Sequence, residues 1–370
     1  MKRQFLSILM ILFLFIPALF QAKENTNPHI EMAILLDTSG SMEGLIEQAK
    51  SQLWRIVNEL ALSRRDGKTI ELFVALYEYG KDSLPAEEGY MKMICPLTGD
   101  LDKISEELFI LETNGGDEYC GQVINRAVQE LTWSPDNQDL KLIFIAGNEP
   151  FTQGKVDYRE ACKNAISKGI IVNTIFCGDF QEGIETSWKD GAVLADGTYM
   201  NIDQNMEVVD IAAPQDEELL LLGNELNGTY IAYGDYGSDY KERQEEQDSN
   251  AMTMSGGTMI ERVIAKSSSQ YRNEAWDLVD AEEEGAVNIA ELDAELLPEI
   301  MKDMTPTERQ QYVDDMGKKR EEIQNRIQEL NEARRKYIAQ ERSKIQDKTL
   351  DSAMLEAIRL QAEKKNYSFE

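Results

Sequence analysis

At 370 residues with a formal net charge of −30, the chain is long enough for one large domain with an appendage, or for two domains. That charge opposes DNA, RNA and anionic lipid surfaces through long-range repulsion, although the field fades beyond a Debye length of roughly 8 Å, so a metal can still hold an acidic ligand locally. His29 is the single histidine, and Cys95, Cys120, Cys162 and Cys177 form no Cys-x-x-Cys, which excludes a zinc finger and a Cys-His nucleophile.

Met1-Lys2-Arg3 and the apolar run from Phe5 to Phe20 form an export signal over residues 1–22, cut near Ala22. Phe20 is large for the small-residue position ahead of the cut, so an uncleaved anchor is the alternative, although the run is short for a membrane span. The protein is therefore expected in the periplasm or outside the cell, at a membrane only if the signal stays. In that setting the four cysteines form two disulfides in one of three pairings, or remain buried thiols.

Ile34-Leu35-Leu36 has the character of a buried strand and runs into Asp37-Thr38-Ser39-Gly40-Ser41, where one carboxylate and two hydroxyls share a tight loop. Such a set supplies half the shell of a hard divalent ion: Mg²⁺ takes about six oxygens, keeps several waters and is often held by one or two carboxylates. An EF-hand is excluded, because its sixth and twelfth positions need Gly and Glu where this chain has Met42 and Gln48. Leu45, Ala49, Leu53, Ile56, Val57 and Leu60 then repeat at helical spacing, so the loop joins a strand to an amphipathic helix.

Residues 69–77 and 90–94 form a hairpin around a Pro/Glu/Gly loop, and a helix covers 101–111. Thr113-Asn114-Gly115-Gly116-Asp117 leads into a helix with Val123, Ile124, Ala127, Val128 and Leu131. Strands over 140–146 and 169–176 flank a helix around 158–168. This alternation predicts an α/β fold, doubly wound around a mainly parallel sheet covered on both faces, followed by an α-helical C-terminal region.

From about Ile30 to Asp203 the order resembles the von Willebrand factor type A (vWA) fold. The resemblance rests on the Asp37-Ser39-Ser41 loop, the Gly115-Gly116-Asp117 turn, the strand ending Ala146-Gly147-Asn148-Glu149-Pro150, and Gly197-Thr198-Tyr199. It implies a metal-ion-dependent adhesion site whose open position is often taken by a partner's carboxylate. Two departures stand out: the family usually has Thr at the position of Asp117 and Asp at that of Gly147. The implied metal set is Asp37, Ser39, Ser41 and Asp117, with Gly147 and Glu149 shaping the open side. Asp117 capping its helix is the plainer alternative.

The expected domains are 30–228, vWA-like; 229–257, a strand and an acidic linker; and 258–370, helical. Thr305-Pro306-Thr307-Glu308 is a helix start. Arg334 and Glu341 interrupt the seam of Ile323, Ile327 and Leu330, which disfavours a long coiled coil and favours a helical hairpin ending in a helix over 350–362. The region around Leu297-Pro298-Glu299 and 305–313 is similar to the C-terminal part of uncharacterised exported bacterial vWA proteins, which implies no activity. The resulting expectation is an exported, non-enzymatic protein-binding protein using Mg²⁺, Mn²⁺ or Ca²⁺. The alternatives are a scaffold with a decayed metal site or a metal-assisted hydrolase.

Overall fold

The computed structural model describes residues 27–206, 210–342 and 349–369. The expected export signal lies outside these residues. Six strands form the main sheet: β1 (His29–Asp37), β4 (Glu71–Tyr79), β5 (Met91–Thr98), β6 (Leu140–Gly147), β7 (Ile170–Cys177) and β8 (Tyr199–Ile202). Their spatial order is β5-β4-β1-β6-β7-β8, all parallel except the edge strand β5. The expected doubly wound sheet is therefore present.

Burial follows the two-residue period of a strand. Ile30, Met32, Ile34 and Leu36 of β1 enter one core, beneath the Glu43–Ala61 helix, while Ala33 and Leu35 enter the other, beneath the Cys120–Glu130 and Tyr158–Ser167 helices. Both faces of the central strands are thus sealed, which is why they are almost uniformly apolar. All four cysteines are buried free thiols, so neither of the possible disulfides is formed.

The C-terminal chain departs from expectation. Leu350–Glu363 is a helix, but it does not form a hairpin with its predecessor. Leu350, Met354, Leu355, Ile358 and Ala362 pack into the first core beside the Glu43–Ala61 helix, and the Gln361 amide pairs with Asn173 of β7. A small antiparallel sheet follows, in which β9 (Tyr367–Phe369) pairs with β2 (Ser63–Arg65), itself paired with β3 (Lys68–Thr69). Residues 350–369 therefore complete the sheet domain rather than the 258–370 helical region.

Between these parts, helices Asp216–Asn227, Gly237–Met254, Gly256–Lys266 and Pro306–Arg342 enclose a third core with Leu219, Leu226, Val263, Ile264, Ile323 and Ile327. The expected strand and linker at 229–257 is instead a single isolated bridge, Ala232 to Asp277, followed by the Gly237–Met254 helix. That helix buries Gln244, Gln247, Asp248 and Ala251, spaced as one helical face but mostly polar, so a search for apolar periodicity passes over it. The Gly256–Lys266 helix stops where the Ser267 and Ser268 hydroxyls donate to the carbonyls of Ile264 and Ala265. Pro306–Arg342 is one continuous helix of 37 residues. It opens on the expected cap, with Thr305 N–H and hydroxyl both donating to Glu308.

Candidate metal centre

β1, β4 and β6 end side by side, with Asp37 opposite Tyr79 and Leu36 opposite both Glu78 and Ala146. Strand order reverses here, since the chain passes from β1 to β4 on one side and later returns to β6 on the other. A crevice opens at such a switch point, above the carboxyl ends of the strands.

Asp37 sits on its floor with no exposed surface. Its Oδ1 accepts the Ser39 N–H at 2.7 Å, while Oδ2 is buried without a hydrogen-bond partner among the described residues. Thr38 does not face the crevice: its N–H and hydroxyl both donate to the Tyr79 carbonyl, which fixes the loop to β4. The Ser39 and Ser41 hydroxyls lie 3.4 Å apart, and Ser41 Oγ is 3.2 Å from the Asn148 amide nitrogen. One carboxylate and two hydroxyls thus lie together at this end of β1.

A second loop closes over them. The Asn114 N–H donates to the Thr38 carbonyl and the Asp82 N–H to the Gly115 carbonyl, so residues 113–118 are stitched to both neighbours. Gly116 permits this approach, because a Cβ there would stand 2.6 Å from the Gly80 carbonyl oxygen.

The loop does not place Asp117 in the crevice. Asp117 is exposed, its Oδ2 accepting from the Tyr119 hydroxyl, and it does not cap the following helix. The carboxyl group turned inward is Glu118, only 6% exposed. Burial pushes Asp37 up to about 7, against the Ser39 bonds that favour its charged form. Glu118 is pushed up to about 8, first by burial and then by the charges of Asp37 and Glu149. Glu149, half-buried, is held by Gln153, whose amide donates to Glu149 and accepts the Glu118 N–H. The Trp188 indole donates to the Glu149 carbonyl, fixing the backbone at this point.

Gly147 has a specific neighbour. A Cβ there would meet the Tyr79 hydroxyl at 2.6 Å and Asp37 Oδ2 at 2.9 Å. The hydroxyl, donating to the Ala146 carbonyl, occupies the room a side chain at 147 needs. The expected strand stops at 77, which left Tyr79 out of the sequence reading. Glu118 was hidden beside Asp117, since the order Asp-Glu does not say which of the two points inward.

Residues 31–185 match the family model of the von Willebrand factor type A domain. The chain carries a vWA domain. No curated protein matches the chain. Among solved structures, BatB from Bacteroides thetaiotaomicron is 20% identical over 47% of this chain and 90% of its own, with a TM-score of 0.36. The mussel byssus protein PTMP1, with a zinc-occupied MIDAS motif, is 13% identical over 47% of this chain and 42% of its own, TM-score 0.35. The pilus adhesin SpaC from Lactobacillus rhamnosus GG is 14% identical over 49% of this chain and 28% of its own, TM-score 0.36. The chain thus spans less than half the length of the last two.

Within the vWA domain the donor set is all oxygen. Among the described residues no three His, Cys, Asp or Glu side chains form a metal cage, so any ion depends on hydroxyls and water as well as carboxylates. The unpartnered, fully buried Oδ2 of Asp37 beside two hydroxyls fits a hard divalent cation such as Mg²⁺, Mn²⁺ or Ca²⁺. Such an ion would supply an electrophilic centre open to a carboxylate.

Proposed function

We propose that this protein is an exported, non-enzymatic binding protein whose vWA domain presents a divalent ion to a protein ligand. Asp37, Ser39 and Ser41 hold the ion, Gly147 and Glu149 border its open side, and a carboxylate of the partner completes the shell. The observation that carries this reading is the buried, unpartnered Oδ2 of Asp37 next to the two serine hydroxyls at the mouth of the crevice. A hydrolase is disfavoured by position: His29, the only histidine, lies at the opposite end of β1 from Asp37. Among the described residues no helix is long and apolar enough to cross a membrane.

The test is calorimetric titration of Mg²⁺, Mn²⁺ and Ca²⁺ at pH 8 into the chain lacking residues 1–22, beside Asp37→Ala. Saturable binding that Asp37→Ala abolishes supports the reading, and ion-dependent capture of a protein ligand extends it. The scaffold alternative draws on one observation, the space at Gly147 filled by the Tyr79 hydroxyl where the family usually carries a carboxylate. Folded protein that responds to none of the three ions favours that alternative.

A further inference from the structure

Asp37 and Glu118 present an unusual pairing. Both carboxyl groups are buried, and they share one space. A side chain built on Gly80, whose φ is +85°, would begin 2.7 Å from Asp37 Oδ1 and 2.8 Å from Glu118 Cγ. The Ser39 hydroxyl lies within reach of both carboxyl groups. Among the described residues no Lys or Arg pairs with either acid, and the nearby Lys81 is engaged with Glu78. Two adjacent acids, Asp37 fully and Glu118 largely removed from water, with no cation beside them, form an incomplete arrangement, because buried carboxylates are ordinarily paired or bound to metal.

Asp117 differs on every count. It is exposed, it accepts from Tyr119, and the Gly115-Gly116 turn delivers the next residue to Asp37. Building on the metal-site reading above, we infer that Glu118, and not Asp117, is the second anionic holder of the ion, directly or through one water. It restores the carboxylate absent at Gly147 from the opposite side of Asp37. Gln153 serves this arrangement as a positioning residue, accepting the Glu118 N–H while its amide orders Glu149. The altered site therefore keeps two acids around the ion, supplied by β1 and the 113–118 loop.

The experiment is titration of Mn²⁺ alone at pH 8, read from the electron paramagnetic resonance signal of the free ion. The proteins are the chain lacking residues 1–22 and its Glu118→Gln, Asp117→Asn and Asp37→Asn variants, each checked for folding by circular dichroism. Glu118→Gln is expected to weaken Mn²⁺ binding about 10-fold or more, as Asp37→Asn does, while Asp117→Asn stays within about 2-fold. Glu118→Asp, with a shorter arm, should fall between wild type and Glu118→Gln. Removing an uncompensated charge should also leave the metal-free melting temperature of Glu118→Gln equal to or above that of wild type. A Glu118→Gln variant within 2-fold of wild type, or an Asp117→Asn variant that loses more, overturns the inference while leaving an ion at Asp37 intact. Absence of binding by folded wild type overturns the metal reading and this inference together.

Discussion

Among the molecule's buried acids, two groups are treated in opposite ways. Where the helical region docks on the vWA domain, Asp102 and Asp248 are met by Arg262, whose Nη1 lies 2.7 Å from Asp102, and by Lys266, 3.0 Å from Asp248. The Tyr271 hydroxyl donates to Asp102, the Arg262 guanidinium donates to the Gln244 carbonyl, and it lies over the Trp54 ring. Lys266 and Arg262 outweigh the burial of Asp248 and hold it below the usual carboxylate range. Asp37 and Glu118 have no such partners and are pushed upward. Matched buried charges fix three helices in one geometry, whereas unmatched ones leave capacity for a ligand.

The matched group should be the more damaging to break. Arg262→Met leaves Asp102 and Asp248 buried without their shared cation, and should cost about 3–5 kcal/mol in urea unfolding. A smaller loss would mean that water reaches this junction and that its charges are less deeply buried than those of Asp37.

Asp37→Asn should act in the opposite direction in metal-free protein. The folded-state pKa of Asp37, about 7, is above its unfolded value of 3.8, so the folded form holds the proton more tightly. Its contribution to stability is complete in acid and lost as pH rises from about 4 through about 7, a window that Glu118 extends toward 8. At pH 8 without metal, Asp37→Asn should therefore be more stable than wild type by on the order of 3 kcal/mol, and its stability should vary less between pH 5 and 8. Wild-type melting temperatures that rise over that interval without metal would contradict the assignment.

Gly147→Ala should cost about 1–3 kcal/mol, because its methyl meets the Tyr79 hydroxyl. Adding Tyr79→Phe should recover part of the loss, and a double-mutant cycle with no coupling would show that the hydroxyl is not the obstacle. The smallest effect belongs to Thr305→Ala, about 1 kcal/mol for the lost cap, seen as faster amide exchange over residues 306–309.

Much of this was legible in the sequence because strand and helix periods differ. Apolar residues at those periods marked β1, β4, β6 and β7, and the Asp37-Ser39-Ser41 loop followed from a strand entering an amphipathic helix. Glu118 was not legible, since its inward turn depends on Gly116 meeting the Gly80 carbonyl across the crevice. Nor was the Gly237–Met254 helix, whose buried face is polar and is satisfied by distant groups, as when Gln247 accepts from Ser105. The Leu350–Glu363 helix was recognised as a helix, but its pattern could not say which surface it would cover.

The closing strand has a geometric consequence. Tyr367 of β9 donates to the carbonyl of His29, so the two outermost described stretches of chain meet at the start of β1. The candidate ion lies at the other end of that nine-residue strand, roughly 30 Å away at the usual rise. Attachment through residues on either side of this junction would hold the molecule by one pole and leave the metal pole facing outward. An ion bound in the crevice and anything seated against this junction would then meet opposite ends of β1.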